Sequence, residues 1–177
     1  MDDDEQLKRP RYFDGKVLSA NDFTTEQEYH RAKQRRHNRY LHGWGVVSGF
    51  SVSVRDDSVI VESGVAIDCA GNEIFQESQT MNALLNGASR LYVVVEYYES
   101  TVDPVPQPLD YDCASEQGQA YSWIEEASRV YIMDVDPTLD HDEVGPGSCG
   151  CGRQHPMAIA CLVKEPKAWS VIPYGRR

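Results

Sequence analysis

The chain has 177 residues and a mass of 20.0 kDa, of which 41% are hydrophobic and 25% charged; this is room for one globular domain with an appended arm, not for a separate cofactor domain. Its 28 Asp plus Glu against 17 Lys plus Arg give a net charge of −11, which repels phosphate backbones and anionic lipid, so nucleic acid is not expected as a partner. The apolar runs fall far short of the roughly 20 residues of a membrane helix, and the acidic MDDDE start is the reverse of a secretory leader; no membrane insertion and assembly in a cytoplasm are expected.

Charge is unevenly placed along the chain. Residues 6–39 hold nine basic and four acidic residues, whereas residues 40–177 hold eight basic and 20 acidic ones. Ser19 with Asp22, and Thr25 with Glu28, fit the capping-box pattern that satisfies orphan N–H groups at a helix start. From there to Leu41 there is no Gly or Pro, and Tyr29, Ala32, Arg36 and Tyr40 fall at a helical spacing that predicts a thin packing seam. Gly43 is the expected stop, and Arg35, Arg36 and Arg39 suit the negative end of the helix dipole.

Beyond Gly45 the period changes to two. Val46, Val47, Phe50, Val52 and Val54, then residues 59–61, 65–67 and 74–75, are short β-prone runs that predict an antiparallel meander, with a hairpin turn at residues 70–72. Residues 77–89 read as a helical turn or a loop. Residues 91–98 are apolar almost throughout and predict a central strand buried on both faces. Residues 102–108 contain three prolines and read as an excursion that leaves the ladder. Residues 128–135, 157–163 and 169–172 resume strand character, with a Pro-, Gly- and Cys-rich loop at 136–155. The expected fold class is mainly β. An antiparallel sheet, sandwich or barrel-like domain (46–177) follows an N-terminal arm and one α-helix (1–45).

Five cysteines cannot all pair within one chain. Cys113, Cys149, Cys151 and His155 offer three thiolates and an imidazole, a donor set suited to a structural zinc clip across two long loops. A disulfide from Cys113 to either loop cysteine does similar work, and free thiols are the third option; all three stay open. Cys161, inside an apolar strand, is expected to be a small buried hydrophobe. His30, His37 and His42 have no carboxylates at ligand spacing and read as solvated or hydrogen-bonded. Nucleophile elbows, phosphate loops and the dinucleotide fingerprint are missing, and Glu125 and Glu126, adjacent on one strand, face opposite ways and cannot flank one bond. No enzymatic activity is expected, and no cofactor beyond the zinc option.

Several blocks, RYFDGKVLSANDF at residues 11–23, HNRYLHGWGVVSGF at 37–50 and GVAIDCAGNEI at 64–74, together resemble a family of bacteriophage-tail and contractile-injection-system structural proteins found near baseplate and fibre components. The resemblance covers residues 9–76 and implies a virion or injection-particle part that joins peripheral structures to a tail. That predicts a non-enzymatic adaptor at the baseplate or tail fibre, located in the virion tail, with other tail, baseplate or fibre proteins and copies of itself as partners. Tyr12, Phe13, Tyr29, Arg35, Arg36, Arg39 and Tyr40 are the expected interface residues, since aromatic and Arg side chains dominate contact energetics. The alternative is a carbohydrate- or receptor-binding module with Tyr111, Tyr121 and Trp123 as stacking platforms.

Overall fold

A computed structural model describes residues 7–56, 58–82, 88–105, 120–137, 154–166 and 168–174. Among these residues one α-helix, α1 (Ala20–His37), precedes ten strands, β1 (Gly45–Gly49), β2 (Val52–Arg55), β3 (Ser58–Val61), β4 (Gly64–Ile67), β5 (Glu73–Gln76), β6 (Gln79–Asn82), β7 (Arg90–Val105), β8 (Ala120–Met133), β9 (Met157–Lys164) and β10 (Trp169–Pro173). They form three antiparallel sheets in the orders β1-β4-β5, β2-β3-β6 and β10-β9-β7-β8, with no closed barrel. The mainly β reading is borne out, and the barrel-like variant of it is not.

The helix starts where the capping pattern places it. Ser19 accepts from the Asp22 backbone N–H, and the Asp22 carboxylate accepts from the Ser19 N–H at 3.0 Å. After His37 the chain widens into a π-helical turn, Asn38–His42, which closes with the Gly43 N–H donating to the Asn38 carbonyl at 2.9 Å.

The meander is present, but each of its three strands is broken once. β1 with β2, β3 with β4, and β5 with β6 are long strands that leave one sheet and enter the other at a common corner. Pairing carries across the break, with Phe50 N–H donating to Ser63 O at 3.2 Å and Glu62 N–H to Ser51 O at 2.9 Å. Two glycines make room for it. A Cβ on Gly49 would stand 2.1 Å from Ser63 O, and one on Gly64 would stand 2.5 Å from the Phe50 ring, which is tucked into the core at the corner. The segment read as helical turn or loop instead contributes β6, whose Gln79 and Met81 pair with Val61 and Val59.

β7 is the inner strand that was expected. Val93 and Val95 join Val59, Val61, Ile74, Ile159 and Leu162 in the main core, while Tyr92 and Val94 pack with Ala158 and Cys161 on the opposite face. Each such fully buried aliphatic contributes about 1.5–3 kcal/mol. The proline stretch is a correction: β7 continues through Pro104, opposite Tyr121, to Val105, opposite Ala120. β9 covers β7 only over residues 90–95, so at Pro104 no second ladder demands the missing donor.

Candidate assembly interface

α1 contains no buried residue. The predicted seam of Tyr29, Ala32, Arg36 and Tyr40 is not the face that docks: Tyr29 and Ala32 are half-buried, and Arg36 and Tyr40 are exposed. A polar face does the docking instead, onto the β4–β5 hairpin and the side of β7. Arg35 Nε donates to Asn72 Oδ1 at 2.7 Å, Asn38 Nδ2 to the Gly71 carbonyl at 2.9 Å, and Gln34 Nε2 to Glu73 Oε1 at 3.0 Å. Arg31 is ion-paired with Glu99, which also lies 3.6 Å from Arg35 and accepts from the Tyr97 hydroxyl at 2.8 Å. Burial, reinforced by that hydrogen bond, pushes the Tyr97 hydroxyl up from its ordinary range.

The hairpin tip is built to receive the helix. Asp68 accepts from the Asn72 N–H and from Asn72 Nδ2, both at 2.8 Å, which turns Asn72 Oδ1 outward to Arg35. Gly71 has a positive φ of 89°, and a Cβ there would stand 2.3 Å from the Arg35 carbonyl, so only glycine admits the helix backbone so close. Asn38, Asp68 and Asn72 are the buried polar residues of the described molecule. Burial pushes the Asp68 carboxyl up, and the hydrogen bonds from Asn72 oppose that shift.

Residues 7–19 fold back along α1. Tyr12 donates to Glu26, Lys16 Nζ meets Asp22 at 2.6 Å, and the Arg9 guanidinium sits 5.8 Å over the Tyr29 ring. Lys16 and Ser19 hold the Asp22 carboxyl well below the usual carboxylate range. On the outward side this arm leaves large apolar groups in water, with Phe13 65% and Val17 88% exposed, and Tyr12, Leu18 and Phe23 exposed as well. Leu41 in the π-helical turn and Val47 in β1 are also exposed, and a groove of ≈ 460 Å³ runs between that turn and the first sheet, lined by Gln34, His37, Trp44, Val46, Ile67 and Glu73 among others.

The expected interface residues thus divide. Phe13, Arg36 and Tyr40 face solvent, Tyr12 is exposed but donates to Glu26, and Arg35 and Tyr29 are engaged within the chain, Arg35 with the hairpin and Tyr29 beneath Arg9 and Lys33. Arg39 stacks 5.7 Å over Tyr40. Val17, Leu18 and Phe23 were overlooked in the sequence, although Leu18 and Phe23 stand at the N′ and N4 positions of the cap, where a hydrophobic pair is a known signature. Of the zinc-clip residues, Cys113, Cys149 and Cys151 lie outside the described residues, as does Tyr111, and His155 Nδ1 lies 3.1 Å from the Pro156 carbonyl. No group of three metal-binding side chains occurs among the described residues. His37 and His42 contact each other edge-on at 5.2 Å. Cys161 is buried as expected, and burial pushes its thiol up.

No family model matches the chain, and no curated protein matches it in sequence. Its fold is similar to proteins of contractile secretion baseplates. A chain of the type VI secretion system TssK-TssF-TssG baseplate subcomplex superposes with a TM-score of 0.52 at 13% identity, covering 94% of this chain and 60% of that one. The crystal structure of TssK gives 0.50 at 11% identity, covering 94% of this chain and 41% of that one. A chain of the type VI baseplate complex gives 0.48 at 12%, with 58% of its length covered. This chain therefore spans 41–60% of the length of these structures, and at such identities the likeness is one of fold.

Proposed function

We propose that the chain is a non-enzymatic structural component of the baseplate region of a contractile injection particle, a phage tail or a secretion machine, where it joins larger parts together. The observation that carries this reading is the N-terminal arm: Phe13, Val17, Leu18 and Phe23 stand in water on an element that buries nothing of its own, which marks a surface kept for a partner. The fold likeness to TssK and to a subcomplex that contains TssF and TssG supports a baseplate setting and other baseplate proteins as partners. The arm attaches, and the β domain presents its loops.

Co-sedimentation of the purified chain with intact tails or baseplates tests this. The wild-type chain is expected to pellet with particles, and Phe13→Asp combined with Phe23→Asp is expected to leave it in the supernatant while thermal unfolding is unchanged. Imaging of a particle in which residues 9–45 touch no other subunit overturns the reading.

A second reading rests on one specific feature. Tyr121 and Trp123 alternate along β8, so both project from one face, and Trp123 is 67% exposed. Such a pair suits stacking on a sugar ring. Specific saccharide binding on a glycan array, abolished by Trp123→Ala and independent of particle assembly, favours this module.

A further inference from the structure

Past the reach of β9, strands β7 and β8 run on together as a two-stranded ribbon, residues 98–105 paired with 120–127. A lone two-stranded ribbon is marginal in water, and this one is apolar on both faces. Trp123 and Tyr121 stand beside Val102 and Pro104 on one side, and Ile124, 60% exposed, stands beside Thr101 on the other. Its charge has one sign. These two segments contain Glu99, Asp103, Glu125 and Glu126 and no Lys or Arg. Glu99 is taken by Arg31 and Arg35, and Glu126 beside it lines a groove with those two arginines and acts on Arg31, whereas Glu125, on the Trp123 face, forms no salt bridge among the described residues. The arm has the complementary make-up: Lys8, Arg9 and Arg11 lead directly into the exposed aromatic pair Tyr12 and Phe13. Within one chain the arm is already folded along its own helix through Tyr12, Lys16 and Arg9, with Lys8, Arg11 and Phe13 exposed.

We infer that the acidic, aromatic β7–β8 ribbon of one copy receives the basic, aromatic N-terminal arm of a second copy. Arg11 meets Glu125 and Phe13 packs against Trp123 on the same face of the ribbon, while Lys8 lies in the field of Glu126 across the outer edge of β8. This rests on the arm's being a contact surface, as proposed above, and names the occupant. Because the two surfaces differ, the contact is head-to-tail and builds a ring or a longer chain of copies, not a simple two-fold dimer. The charges set orientation and salt sensitivity, and the aromatic groups supply the apolar burial.

Sedimentation velocity of the full chain at low and high salt tests it, with Lys8→Glu/Arg11→Glu, Glu125→Arg/Glu126→Arg, and all four changes together. The wild-type chain is expected to self-associate at low salt and to weaken at high salt. Each double reversal is expected to weaken association roughly tenfold, and the quadruple variant to restore it. A photo-crosslinking residue at position 13 is expected to label residues 120–127 of another copy. A wild-type monomer at low salt, or a ribbon reversal that associates like wild type, overturns the inference. Should the arm reversal alone abolish association, the arm remains a contact surface with a different site as its partner. Should neither reversal alter association or particle co-sedimentation, the arm reading falls with it.

Discussion

At Gly71 the helix and the hairpin approach more closely than any side chain allows. Gly71→Ala introduces a Cβ against the Arg35 carbonyl and forces a non-glycine residue to a φ of 89°; the expected cost is about 1–3 kcal/mol, read as a lower urea midpoint with an unchanged slope. Asn38→Leu removes the donor to the Gly71 carbonyl inside a buried contact, and about 1–3 kcal/mol of destabilisation is expected from the acceptor left behind. Asp68 adds a pH dependence. Its native carboxyl is pushed above the ordinary value of 3.8 by burial, so the native state holds the proton more tightly than the unfolded chain does. Its contribution is therefore full below 3.8 and is lost as pH rises through the elevated native value. Asp22 has the opposite sign: held low by Lys16 and Ser19, it favours the native state above 3.8 and loses that effect as pH falls. Comparing wild type with Asp68→Asn in urea melts across this range isolates the Asp68 part, which is expected to vanish in the variant; parallel pH curves for the two proteins would sink the assignment.

Among the elements, α1 is held by hydrogen bonds and ion pairs to Asn72, Glu73 and Glu99, with no apolar face of its own in the core. Exposed and half-exposed charge pairs weaken with salt. Amide exchange within Ala20–His37 is therefore expected to quicken between low and high salt, while β7 and β9 keep their protection; uniform behaviour of helix and sheets would contradict this. The same element shows how far the sequence could be read. Ser19, Asp22 and Gly43 declare the helix ends through local chemistry, and the unbroken apolar run around Val93 declares a central strand. The docking face did not declare itself, because Asn38 finds Gly71 33 positions away and Gln34 finds Glu73 39 positions away, and polar residues on a helix look solvated until such partners are known. The corner was hidden for a related reason: Gly49, Phe50 and Gly64 have meaning only once β1 and β4 are side by side. Pro104 misled because a proline forbids a central ladder but not a ribbon with one neighbour.

For the molecule as a whole, the basic front and the acidic body of one chain create two unlike surfaces, the charge layout on which the proposed head-to-tail contact rests. The candidate interface was half legible: the aromatic and Arg content of residues 11–40 pointed to contact, but only the folded chain separates Arg35, engaged internally, from Phe13 and Val17, which are not. The clamp at Gly71 grips the helix at Arg35 near its exit, while the other end at Ala20 lies about 22 Å away along the axis. A tilt of about 10° at that fulcrum would swing the tip by about 4 Å on such a lever. Minor adjustments around the hairpin are thereby magnified at the far end, where the exposed Phe13 and Val17 of the arm are carried.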